Sequence, residues 1–172
     1  YPGEAAGTAI ADVLFGDYNP AGRLPVTFYR SVEDLPPFDD YNMDGKTYRY
    51  FDGDVLYPFG YGLSYSTFVY SNLSLDKNSI TAGESVTVSV DVTNTSEVDG
   101  EEVVQFYIHE TDTPDARPLL DLRGFERVWI NAGETKTINV ELSEDELAYY
   151  DLEKDTYALD PGRIEVFAGP SS

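Results

Sequence analysis

The sequence predicts a mainly β protein whose larger part is an antiparallel β-sandwich. Val86, Val88, Val90 and Val92 alternate with Ser85, Thr87, Ser89, Asp91 and Thr93, and a period of two puts one set in a core and the other in water. Val104, Phe106 and Ile108 repeat the pattern, as do Ile138, Val140 and Leu142, and then Ile164 and Val166. Ala82-Gly83-Glu84, Asp99-Gly100, Asn131-Ala132-Gly133 and Asp160-Pro161-Gly162 lie between these runs as turn signals. Several short strands divided in this way predict a sandwich. Ser143-Glu144-Asp145-Glu146 interrupts the series, and its capping-box pattern predicts a single helical turn between strands.

The region before residue 69 has a different character. Between Glu4 and Phe15, the residues Ala6, Ala9, Ile10, Val13 and Leu14 fall at i, i+3, i+4, i+7 and i+8, the single-face spacing of an amphipathic helix. Gly16 stands where such a helix stops. Asp17 to Gly22 reads as a turn, and Leu24 to Phe28 as a short strand that Pro25 confines to an edge. One helix and one strand cannot bury each other adequately. Ile10, Val13 and Leu14 are therefore expected to be protease-sensitive or covered by another surface.

Residues 29–55 read as loop, with turns at Pro36-Pro37, Asp39-Asp40, Asp44-Gly45 and Asp52-Gly53. The aromatic group Tyr48-Arg49-Tyr50-Phe51 within them calls for something to pack against. From Leu56 to Phe68 runs a connector rich in glycine and aromatics. Its glycines are expected to let it pass close to packed aromatic rings.

Composition excludes several functions. Thirty-two Asp plus Glu against eleven Lys plus Arg give a net charge of -21, a field that repels nucleic acid phosphates and anionic lipid. The same acidity suits a soluble surface that resists aggregation. The chain has no cysteine, so disulfides, thiolate nucleophiles and Cys-based zinc sites are ruled out and the redox compartment is left open. No apolar run approaches the roughly 18 residues of a membrane span, and no leader pattern is visible at the start.

Several motifs together carry a resemblance. Tyr1-Pro2-Gly3-Glu4, Ala9-Ile10-Ala11-Asp12-Val13-Leu14-Phe15-Gly16-Asp17, Asn19-Pro20 and Gly22-Arg23-Leu24-Pro25-Val26-Thr27-Phe28 resemble the last helix and strand of the α/β sandwich domain of glycoside hydrolase family 3. Pro58-Phe59-Gly60-Tyr61-Gly62-Leu63-Ser64-Tyr65 resembles that family's connector. Val103 to Ile108, Arg117-Pro118, Leu122 to Val128 and Ala132-Gly133-Glu134-Thr135 resemble the fibronectin type III-like (immunoglobulin-like) domain that closes many members. The resemblance implies a division into 1–28, a remnant of the α/β domain; 29–68, loop and connector; and 69–172, the fibronectin type III-like sandwich. Asn42 to Phe51 looks more like the β-xylosidase than the β-glucosidase branch, although Lys46 stands where that branch more often has Arg.

The family uses a retaining mechanism, which needs two carboxylates about 5 to 5.5 Å apart. Its Asp nucleophile and Glu acid/base lie in earlier domains, and neither motif is present here. The resemblance therefore implies a structural module of a retaining β-glycosidase, not catalytic alone, whose partners are the upstream catalytic domains. Members usually continue into one more strand, so the last strand is expected to be incomplete. A secreted or periplasmic location is favoured slightly over a cytoplasmic one.

The remaining residues offer little chemistry of their own. Asp39/Asp40, Asp52/Asp54, Glu101/Glu102 and Glu144/Glu146 read as solvated charge, and Asp52-Gly53-Asp54 lacks the further oxygen ligands of a calcium loop. No metal and no cofactor is expected. His109, the sole histidine, reads as an edge residue, with no nucleophile elbow to join. Trp129 is either a sugar platform for a polysaccharide such as xylan or an inter-domain contact, packing being the better reading. Tyr48, Arg49, Tyr50 and Phe51 either border the parent enzyme's cleft or dock domains together. Asn72-Leu73-Ser74 and Asn94-Thr95-Ser96 fit the glycosylation pattern.

Overall fold

The computed structural model describes residues 3–112 and 117–172. Helix α1 (Ala6–Phe15) forms where the apolar spacing predicts it. It stops at Gly16, which takes a left-handed φ of 83° and donates its N–H to the Val13 carbonyl at 3.3 Å. Ile10, Leu14 and Phe15 project into solvent, 57%, 72% and 84% exposed. The Tyr65 hydroxyl tethers the end of the helix by donating to the Val13 carbonyl at 2.6 Å.

The expected strand over Leu24 to Phe28 is displaced. Strand β1 is Phe28–Tyr29, paired antiparallel with β2 (Val55–Tyr57). Pro25 has no N–H for a ladder, and Leu24 bonds the connector instead. It donates to Tyr61 O and accepts from Gly60 N, both at 2.8 Å. The segment expected as loop also holds structure: a 3-10 turn at Val32–Asp34 and the short helix α2 (Thr47–Tyr50).

Beyond the connector lies a two-sheet sandwich. Strands β3 (Phe68–Leu75), β4 (Val86–Asn94) and β7 (Thr135–Leu142) make one sheet in the order β3-β4-β7. Strands β5 (Gly100–Glu110), β6 (Asp121–Ile130) and β10 (Ile164–Gly169) make the other, in the order β10-β5-β6. All pairings are antiparallel. Between β7 and β10 come α3 (Glu144–Leu147) and a hairpin of β8 (Tyr149–Asp151) with β9 (Thr156–Ala158). Helix α3 starts on the expected capping box, with Ser143 N–H donating to Glu146 Oε2 at 3.0 Å.

The alternating runs meet as predicted. Val88, Val90 and Val92 of β4 face Val104, Phe106 and Ile108 of β5, with Ile130, Ile138, Leu142 and Leu147 closing the core. Burial of each such side chain contributes about 1.5 to 3 kcal/mol. Where β6 crosses this core, Gly124 lets the sheets approach, since a Cβ there would fall 2.7 Å from Val140 Cγ1. Next to it the β5–β6 register slips between Phe106 and Tyr107, as at a bulge.

Candidate functional site

Strand β5 is central in its sheet, and its alternation carries a second set of residues. Gln105 and Tyr107 point away from the core, yet both are buried. The connector and α2 cover them. Tyr48 stacks on Phe59 with ring centres 4.3 Å apart and meets Tyr107 edge-on at 5.9 Å, geometries that aromatic quadrupoles favour. The Tyr107 hydroxyl donates to Gln105 Oε1 at 2.6 Å, and Gln105 Nε2 donates to Gly60 O at 3.2 Å and Pro170 O at 2.6 Å. Burial raises the pKa of the Tyr107 and Tyr48 hydroxyls, and while Tyr107 donates, the Tyr48 oxygen accepts from Leu122 N–H at 3.3 Å.

Gly60 makes this approach feasible. Its φ is 82°, and a Cβ would fall 2.1 Å from Gln105 Oε1, so both backbone and space demand glycine. Gly62 is confined by space alone, since a Cβ there would fall 2.2 Å from Gly22 O. The connector thus does pass close to what it covers, but these glycines lie against an amide and a carbonyl rather than against rings.

Charged and polar locks sit around the cover. Arg23 Nη2 donates to Glu102 Oε2 at 2.6 Å, and the Tyr70 hydroxyl donates to Glu102 Oε1 at 2.8 Å. Glu102 is 2% exposed. Burial pushes its carboxyl up, against the opposing effects of the Arg23 guanidinium and the Tyr70 hydroxyl. Asn19 donates to Ser66 Oγ at 2.8 Å and to Asp99 O at 2.9 Å, while its Oδ1 accepts from Ser64 Oγ and Tyr65 N. At the opposite end Arg49 Nη2 meets Asp121 Oδ2 at 2.9 Å, and Leu119 N–H donates to Arg49 O at 2.7 Å.

Tyr48, Arg49, Tyr50 and Phe51 divide their contacts between the sandwich and the segment before it. Tyr48 and Arg49 touch the sandwich, Arg49 lies 5.8 Å from the Tyr50 ring centre, and Phe51 packs edge-on against Tyr29 at 4.9 Å. Trp129 stands apart, half-exposed on the outer side of β6, with its indole N–H donating to Asn131 Oδ1 at 3.1 Å. His109 is corrected from an edge residue to one on the central strand β5, its Nδ1–H donating to Pro118 O at 3.0 Å. Asp54 faces Arg30 at 3.7 Å across an open surface.

The two glycosylation triplets separate clearly. Asn94 is fully buried, its amide donating to Val98 O and Ile130 O, so the folded chain cannot present it to an enzyme. Asn72 is exposed at a kink of β3 with φ 54° and donates to Asp91 Oδ2 at 2.8 Å.

Glu102, read from sequence beside Glu101 as solvated charge, is instead buried in an ion pair with Arg23, while Arg23, Gln105 and Tyr107 carry no individual signal in the sequence. Parity held the signal: Glu102 shares the inward register of Val104 and Phe106, where an unpaired carboxylate would be costly. Among the described residues no group of three His, Asp or Glu side chains could hold a metal, and no helix is long and apolar enough to cross a membrane.

A fibronectin type III-like sandwich clasped by a helix, a short strand pair and an aromatic connector is the class that this geometry defines. Residues 1–65 match the glycosyl hydrolase family 3 C-terminal domain, and residues 102–172 match the fibronectin type III-like domain. The chain belongs to glycoside hydrolase family 3 and corresponds to part of that family's C-terminal region. Over its whole length it is 49% identical to a xylan 1,4-beta-xylosidase of Xylanibacter ruminicola, of which it spans 20%. It is 44% identical to a beta-xylosidase of Formosa agariphila, all of the chain aligning with 24% of that protein. A solved β-glucosidase from Erythrobacter marinus superposes on all of the chain with a TM-score of 0.86 at 39% identity, the chain covering 23% of it. The chain thus spans about a fifth to a quarter of these relatives.

Proposed function

We propose that the chain is the C-terminal structural module of a retaining β-glycosidase acting on β-linked glycosides, most like a β-xylosidase. In this reading 1–28 ends the α/β domain, 29–68 is the connector, and 69–172 is the sandwich that braces the catalytic domains. One observation carries it: the buried polar groups around β5 are consumed in holding the preceding segments to the sandwich, Glu102 binding Arg23 of the first segment and Gln105 binding Gly60 of the connector. The exposed apolar side chains of α1 suit docking onto upstream domains of the same enzyme.

The 172-residue chain alone should not hydrolyse an aryl β-xyloside, and activity should return when the upstream domains are supplied. Turnover by the purified chain would overturn the proposal. Carbohydrate binding is a second reading, favoured by Trp129 and Phe125, which lie exposed on the same outer side of β6. Retention of the chain on xylan, lost in Trp129→Ala, would support it, whereas no retention on xylan or cellulose would remove it.

A further inference from the structure

A cavity of about 380 Å³ opens between α2, the ends of β5 and β6, and the β8–β9 hairpin. Its volume falls within the range of about 300 to 1,000 Å³ typical of small-molecule sites. Three of the chain's eleven basic residues line it: Arg49, Arg117 and Arg123. Arg49 and Arg123 share Asp121 Oδ2 at 2.9 and 2.8 Å. Arg117 reaches Glu110 at 3.4 Å and Asp160 at 2.8 Å, with its guanidinium carbon 3.5 Å from the Tyr149 ring centre. Tyr150 and Tyr157 stand at the mouth, edge to face at 5.3 Å, and Tyr157 is 73% exposed.

Two details point to an occupant. The Nε–H groups of Arg49 and Arg123, both on residues that line the cavity, have no hydrogen-bond partner among the described residues. Both arginines also draw on the same oxygen of Asp121, which leaves Oδ1 to accept a hydrogen bond from a ligand hydroxyl.

Charge selects the class of ligand. Glu110, Asp121 and Asp160 balance the three guanidinium groups, so the cavity is locally neutral inside a chain of net charge -21. That wider field opposes an anion, the arginines oppose a cation, and so much charge opposes a wholly apolar molecule. What remains is a neutral compound with several hydroxyls and one apolar ring face. We propose that this Arg/Asp/Tyr cavity is a saccharide-binding subsite of the sandwich, stacking a sugar ring on Tyr157 while Arg49, Arg123 and Asp121 engage its hydroxyls.

The choice of β-linked pentose and hexose oligomers as probes rests on the glycosidase reading above. The test requires no turnover, so its failure leaves the bracing role standing. The full chain is titrated with xylotriose, cellotriose and glucuronate while the arginine Nε–H resonances are followed by NMR. Saturable shifts of Arg49 and Arg123 with a neutral oligomer, at a dissociation constant of about 1 mM or tighter, are expected. Tyr157→Ala, at an exposed position that keeps the fold, should weaken binding about tenfold, and Trp129→Ala should leave it unchanged. No saturation with either neutral oligomer overturns the proposal. So does a response to glucuronate alone, or binding that Tyr157→Ala leaves intact.

Discussion

Strands β4 and β5 occupy equivalent places, each central in its sheet and each sending alternate residues into the same core. Their outer sides differ. On β4, Thr87, Ser89, Asp91 and Thr93 remain half-exposed, and the last three bond across to β7 through side chains, as Ser89 does to Asn139 at 2.7 Å and Asp91 to Thr137 at 2.6 Å. On β5, Gln105 and Tyr107 lie beneath Phe59, Gly60 and Tyr48. A sandwich sheet needs a single buried side to be stable. The second cover on β5 therefore serves the attachment of residues 18–63, and its cost in polar satisfaction is met by Gln105, with the inward-facing Glu102 holding Arg23 at its border.

The largest break in this comparison should come from Arg23→Met. It leaves the Glu102 carboxylate without its cation, a type of loss worth about 3 to 5 kcal/mol, and urea unfolding should show the midpoint fall accordingly. An unchanged midpoint would mean that the cover is not locked through Glu102. Smaller losses should sharpen the contrast between the outer sides. Tyr107→Phe removes the donor to Gln105 Oε1 and should cost about 1 to 3 kcal/mol, whereas Ser89→Ala on β4 should stay within about 0.5 kcal/mol. Equal costs would erase the distinction.

The smallest effect is a difference in the sign of pH dependence. Hydrogen bonds from Asn72 and Thr137 hold the Asp91 carboxyl below its usual range, while burial holds that of Glu102 above it. Stability from Asp91 is present above its unfolded pKa of about 3.9 and is lost as pH falls through the lower folded value. The Glu102 contribution is fully present below about 4.3 and is lost as pH rises through the higher folded value. In urea midpoints across this range, Asp91→Asn should lessen the acid loss and Glu102→Gln should flatten the decline toward neutrality. Slopes of the same sign for both carboxylates would contradict their opposed environments.

Alternation made β4, β5, β7 and β10 legible, because valine and isoleucine at every second place leave one arrangement that buries them. It could not reveal β3, where Ser71 and Ser74 straddle a register shift around Asn72. Nor did it mark the β8–β9 hairpin, which the charged turn Glu153-Lys154-Asp155 closes. Strand β1 shifted because Leu24 found its hydrogen bonds in the connector, a partner more than thirty residues away. The covering of β5 was legible only in part: the loop aromatics signalled that something lay beneath them, but Gln105 reads as an ordinary outward polar residue until Gly60 is known to lie on it.

That arrangement has a consequence for the order in which the chain is made. Tyr48, Phe59 and Gly60 leave the ribosome before Gln105 and Tyr107, the residues they cover. At roughly 5 to 20 residues per second the interval is of the order of several seconds. During that time the connector's rings have no native surface from this chain's second half to rest on. The first half of the sequence must therefore wait in water, or against a neighbour, for its own cover plate to be synthesised.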